Sequence, residues 1–146
     1  MPGGVGTDIV PVGRIAALIS DRGMAFLDRW FTRQEISYCS GKAVPSRHFA
    51  ARFSAKEAVV KALGLPWDGP LPWRYVEIVN DPGGAPSVVL SGAVLAAATA
   101  AGLGEIRVSL SHCDEYATAV AFLAAADDRT FPGQLLSRTG DAASGS

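Results

Sequence analysis

Hydrophobic and polar positions recur along this chain with two different periods, and the alternation between them predicts the elements. Residues 5–10 (Val-Gly-Thr-Asp-Ile-Val) read as a short strand, bounded by Gly3-Gly4 and Pro11. Residues 12–30 repeat at helical spacing with a break near Gly23. Ile15, Leu18, Ile19, Phe26, Leu27 and Trp30 form its inward side, and Arg14, Arg22 and Arg29 its outward side. Thr32 and Glu35 stand three apart as a capping box, which opens a short helix to about Cys39. After a loop, residues 47–64 give the strongest helix pattern. Ser46 is its expected N-cap, alanine, leucine and lysine fill its interior, and Gly64 followed by Pro66 is its stop.

Beyond a proline- and glycine-rich connection at 66–72 the period shortens. Val76-Glu77-Ile78-Val79 reads as a strand of alternating exposure, joined to a second strand at 87–90 by the turn Asp81-Pro82-Gly83-Gly84. An alanine-rich helix at 92–102 ends at Gly102. Strands at 106–111 and 116–123 then flank the connection His112-Cys113-Asp114-Glu115. Residues 127–146 turn polar, with a lone apolar spot at Leu135-Leu136, and read as a disordered tail behind one domain of residues 1–126.

Composition narrows the function classes. With 49% hydrophobic and 18% charged residues the chain can build a core. A net charge of −1 speaks against a general nucleic-acid binder. Nine of the 13 Lys/Arg fall between residues 14 and 61, against four acids there, so the basic first half suits a negatively charged partner or ligand. Two distant cysteines make neither a disulfide scaffold nor a zinc site. With no membrane-spanning run and no signal pattern, the reading is a soluble, cytoplasmic protein without membrane contact.

Candidate chemistry gathers on the long helix. Glu57 and Lys61 lie one turn apart, about 40° around the axis, beside the apolar stripe. On residue types alone they are an ordinary surface ion pair, and Arg52 with Lys56 a second basic ridge. His48 lies about 180° from Glu57 and reads as packing. Asp8 among apolar strand residues needs a partner, because an unpaired buried carboxylate is costly. It is either a cap for the following helix or a metal ligand.

Three segments taken together resemble a family. Gly4-Val5-Gly6-Thr7-Asp8-Ile9-Val10, the helix core Phe53-Ser54-Ala55-Lys56-Glu57-Ala58-Val59-Val60-Lys61, and Ser109-Leu110-Ser111-His112 leading into Tyr116-Ala117-Thr118-Ala119-Val120 are similar to the holo-acyl-carrier-protein synthases. These are the small members of the 4′-phosphopantetheinyl transferases. The resemblance runs from about residue 4 to 124. It implies an α+β fold in which a small, antiparallel-rich sheet wraps around a long central helix. It also implies transfer of the 4′-phosphopantetheine arm from coenzyme A to a serine of an apo acyl carrier protein, releasing 3′,5′-ADP.

Residue by residue, the resemblance assigns catalytic roles to Asp8, Glu57 and Lys61. Asp8 and Glu57 match the ligand positions for Mg²⁺, with Mn²⁺ as an alternative ion, and two carboxylates suit a metal that also takes phosphate oxygens and water. Lys61 matches the lysine that meets the pyrophosphate. Either Glu57 or a water on the metal would remove the serine proton. Arg47, Arg52, Lys61, Gly64, Pro86, Ser111 and His112 match coenzyme A positions, and Arg14 with Arg22 match the surface that docks an acidic carrier. The resemblance also implies a homotrimer with active sites shared between subunits. Two departures fall at the cofactor's edge: Leu65-Pro66-Trp67 after Gly64, and Ala85 where the family often has lysine. The competing readings are a non-catalytic module that binds coenzyme A or a carrier, and a structural or adaptor domain.

Overall fold

A long helix lies at the centre of the molecule, and four strands and two other helices pack on it. The computed structural model describes residues 3–125; the polar stretch 127–146, with Leu135-Leu136, lies outside the described residues. Strand β1 (Gly4–Pro11) leads into α1 (Val12–Arg22) and α2 (Met24–Trp30), separated at Gly23, whose φ of 55° ends the first helix. Helix α3 (Arg33–Ser40) carries the expected capping box, with Thr32 Oγ1 accepting from the Glu35 amide and the Glu35 carboxylate accepting from the Thr32 amide. The central helix α4 runs from Pro45 to Leu63. A short 3₁₀ turn (Trp73–Tyr75), strands β2 (Val76–Asn80) and β3 (Pro86–Leu90), helix α5 (Gly92–Ala100), and strands β4 (Leu103–His112) and β5 (Tyr116–Ala125) complete the order.

Among the described residues all strand pairings are antiparallel. One sheet has the order β1-β5-β4 and the second is the β2-β3 hairpin. Both sheets pack on α4, which gives the expected architecture of a sheet wrapped around a helix. None of the described helices is long and apolar enough to cross a membrane.

The way β1 meets α4 explains the Gly-x-Gly-x-Asp spacing. Gly4, Gly6, Asp8 and Val10 share one face of the strand. A methyl group on Gly4 would overlap the Ala62 carbonyl, and one on Gly6 would overlap the Ala58 carbonyl. Alanines line the rest of the seam: Ala55, Ala58 and Ala62 from the helix, and Ala117, Ala119 and Ala121 from β5, all buried. Only side chains this small let a strand lie backbone-to-backbone on a helix.

The structure corrects three local readings. Ser46 is not the N-cap of α4; Pro45 occupies the first turn, its fixed φ suited to that place, and Val44 precedes it without a side-chain cap. Arg52 and Lys56 do not form an exposed basic ridge, since both are buried. Each donates to a neighbouring element, Arg52 to Asn80 on β2 and Lys56 to Glu35 on α3, because α4 is enclosed on most sides. Glu77 does not alternate outward on β2; it is buried and accepts a 2.6 Å hydrogen bond from the Thr32 hydroxyl. The strands at 106–111 and 116–123 extend to ten residues each, with an irregularity in β4 between Leu103 and Ile106.

Candidate active site

The face of β1 that touches α4 delivers Asp8 to the middle of the helix. Lys61 reaches back to the strand, its Nζ donating to the Thr7 carbonyl at 2.9 Å and to Asp8 Oδ1 at 3.3 Å. The Pro11 position before α1 has no side-chain cap, so Asp8 is not the N-cap of that helix. Glu57 is half-buried beside Asp8. Desolvation first, and then repulsion from Asp8, push its pKa up, while Lys61 and Arg14 oppose the shift. Arg14 therefore sits within electrostatic reach of the carboxylates, on an exposed face of α1.

This donor set fits a hard divalent cation. Two carboxylates with oxygen-only chemistry stand within electrostatic reach of each other, and the cost of that repulsion is what a Mg²⁺-like ion would relieve. Among the described residues no third Asp, Glu, His or Cys joins them to make an all-protein cage. Such a site leaves most coordination positions to a ligand's phosphates and to water.

The second group of expected site residues lies elsewhere. At the far end of β4, the His112 ring stands 5.2 Å from that of His48 on α4. Arg47 pairs with Asp114 in the β4-β5 turn. The Arg52 guanidinium donates to Asn80 Oδ1 at 2.6 Å and lies 4.1 Å from the centre of the Tyr38 ring, which Lys42 Nζ approaches at 4.3 Å. Pro86 is the register partner of Asn80 on the hairpin, so Arg52 links it to this cluster. One nitrogen of Arg52, Nε, is buried without a partner among the described residues.

These two groups are set apart within one chain. Asp8 is on β1 and His112 on β4, the two edges of a three-stranded sheet with β5 between them. Two strand spacings put those edges about 10 Å apart. On the helix, Arg52 and Glu57 are separated by about 140° of rotation and His48 and Glu57 by about 180°. Arg22 is exposed at the end of α1 and joins no ion pair among the described residues. Gly64 is the left-handed C-cap of α4 (φ 59°), and Ser111 is exposed on β4 opposite Thr118.

Sequence reasoning passed over Tyr38, Lys42, Asn80 and Asp114, and set His48 aside as packing. His48 and Arg52 stand four apart on one helix, and that spacing was the available signal. The others become visible only once β2 and β4 are folded against α4.

A profile described as the 4′-phosphopantetheinyl transferase superfamily matches residues 4–121. The chain is 43% identical over 120 residues to the holo-(acyl-carrier-protein) synthase of Geotalea daltonii, covering 82% of this chain and 96% of that one. It is 49% identical over 115 residues to the synthase of the same name from Dehalococcoides mccartyi, covering 79% and 92%. The crystal structure of the Helicobacter pylori synthase in complex with coenzyme A superposes with a TM-score of 0.72 at 30% identity, over 82% of this chain and 99% of that one. With the match spanning both the Asp8-Lys61 site and the His112 edge, this chain belongs to the 4′-phosphopantetheinyl transferase superfamily, among the holo-(acyl-carrier-protein) synthases.

Proposed function

We propose that the protein transfers the 4′-phosphopantetheine arm of coenzyme A to a serine of an apo acyl carrier protein, leaving 3′,5′-ADP. The observation that carries this reading is the convergence of Asp8, Glu57 and Lys61 at the seam between β1 and α4, in a chain whose relatives bear the synthase name. The serine oxygen forms a bond to the phosphorus that bears the arm. The bond from that phosphorus to the oxygen of the 5′-phosphate breaks, the electron pair leaves with 3′,5′-ADP, and the serine proton is released.

Phosphoryl transfer needs positioning and charge neutralisation more than covalent help from the protein. Asp8 and Glu57 are the residues that would hold Mg²⁺, which when bound supplies positive charge against the pyrophosphate oxygens. Lys61, half exposed and held at the strand by the Thr7 carbonyl, offers an ammonium to the leaving phosphate. Arg52 and His112, with Arg47, Pro86 and Ser111, receive the 3′-phosphate and adenosine end, and Gly64, at the C-terminal end of α4 one turn past Lys61, is the coenzyme A position nearest the pyrophosphate. Arg14 and Arg22 face outward on α1, where they present positive charge to an acidic carrier.

The separation of the two groups supports a shared site, in which the Asp8 edge of one copy meets the His112 edge of another. The outer face of β1 and β5 supports the same assembly. Val5 (66% exposed), Ile9 (64%), Val120 (46%) and Phe122 (56%) form an apolar strip of a kind that a monomer rarely leaves open. A closed homotrimer is the assembly we propose for it. A cytoplasmic setting, and a carrier of the fatty-acid or the polyketide class, belong to the same proposal.

The test is incubation of the protein with coenzyme A, Mg²⁺ and a panel of apo carriers, followed by intact-mass measurement. One carrier should gain the mass of a single phosphopantetheine arm, and only with the metal present. No gain on any carrier overturns the reading.

A further inference from the structure

His48 is a titratable group that the proposed reaction leaves without a task. Its ring lies 5.2 Å from His112, at 64° to it, and 6.3 Å from Tyr38. Every element around it contributes charge or a polar group. From its own helix come Arg47 and Arg52, and from α3 and the loop after it come Tyr38 and Lys42. From the end of β4 and the following turn come His112 and Asp114. Asp114 is already engaged by Arg47. The cluster thus holds three permanent cations and two imidazoles against one acid, with Arg52 Nε buried and unpartnered among the described residues. Partial burial, then His112, then Lys42, Arg52 and Arg47 hold His48 below its ordinary pKa of 6.5. In the free protein at neutral pH the His48 imidazole is therefore held neutral.

We propose that His48 and His112 act as a pair that takes up a proton when a phosphate dianion enters among Lys42, Arg52 and the two rings, which makes His48 a positioning residue for the anionic end of the ligand. The inference rests on the reading that the 3′-phosphate of coenzyme A occupies this edge. A dianion offsets the field that keeps His48 neutral, so the cations that hold its proton off in the empty site cease to do so when it is filled. The proton comes from solvent, because a phosphomonoester is already mostly dianionic above pH 7. By linkage, an uptake of about half a proton makes affinity rise roughly threefold for each pH unit of acidification.

Calorimetric titration of the full chain with coenzyme A, between pH 7 and 8 in buffers of different ionisation enthalpy, measures the uptake directly. The wild type should take up about half a proton per ligand, and His48→Phe and His48→Gln less than half of that. Dephospho-coenzyme A, which lacks the 3′-phosphate, should bind without uptake. Equal uptake in wild type and both variants overturns the proposal, as does equal uptake with dephospho-coenzyme A. Absence of any coenzyme A binding overturns the underlying reading of the site, and is distinguishable from binding without uptake.

Discussion

Lys61 donates to Asp8 at 3.3 Å and makes no ion pair with Glu57 one turn back on its own helix. The i,i+4 spacing that suggests a surface pair is thus put to a different use. Lys61 ties the helix to the strand, and Glu57 is left facing Asp8.

From this follows the first expectation. Asp8→Asn and Glu57→Gln should each lower Mg²⁺-dependent transfer by about a hundredfold or more, the scale on which a preorganised charge at a reacting centre is felt. Both should keep the wild-type circular dichroism spectrum. Initial rates with a responsive apo carrier, over a Mg²⁺ titration, check it. A full rate for Asp8→Asn would remove Asp8 from the metal site.

The seam between β1 and α4 should be intolerant of a single methyl group. In Gly6→Ala the new carbon overlaps the Ala58 carbonyl, and neither backbone can yield cheaply. The expected cost is about 1–3 kcal/mol in urea unfolding. Activity should fall further than stability predicts, because the displaced strand carries Asp8.

Lys56 is fully buried. It donates to Glu35 Oε1 at 2.7 Å, to the Val76 carbonyl at 2.7 Å and to the Trp73 carbonyl at 3.1 Å. Glu35 also accepts from the Ile78 amide at 3.1 Å. Burial lowers the Lys56 pKa and the Glu35 charge opposes that. Lys56→Met strands the Glu35 carboxylate and two carbonyls, and should destabilise the fold by about 3–5 kcal/mol. Lys56→Met with Glu35→Gln should recover part of that loss, read from the two urea midpoints.

His48 gives stability a pH dependence of known sign. Its folded pKa lies below the unfolded value near 6.5, so the unfolded chain binds more protons in that window. The stability tied to it is present above 6.5 and is lost as the pH falls through the folded pKa. Urea midpoints measured from pH 7.5 downward should show the decline, and His48→Phe should flatten it.

Phe122→Asp should dissolve the proposed assembly. It places a carboxylate in the exposed strip of Val5, Ile9 and Val120, which costs nothing in a monomer's solvent but much in a dry contact. Sedimentation should report a smaller species, and turnover should fall with it while the melting curve of the subunit persists.

The legible part of the molecule was its local chemistry. The Thr32-Glu35 capping box, the Gly23 break and the Gly64 stop depend on nearby residues, and all three are where the pattern puts them. The Gly-x-Gly-x-Asp and Lys-Glu-x-x-x-Lys spacings identified the residues that meet at the seam. Lys56 and Glu77 were misread because their partners, Glu35 and Thr32, are 21 and 45 positions away. Nothing in the period of a helix or a strand says that a charge has been provided for at such a distance. Tyr38 and Asn80 were invisible for the same reason, being defined by what Arg52 reaches across from α4.

The placement of Asp8 and His112 on opposite edges of one sheet has a consequence for regulation by abundance. On the proposed assembly, a chain that carries the two halves of a site on opposite edges has no complete copy of it when alone. In that assembly, catalytic competence is then a property of concentration. The enzyme would switch on where synthesis lifts it above its own association threshold, and fall silent on dilution with every subunit still folded.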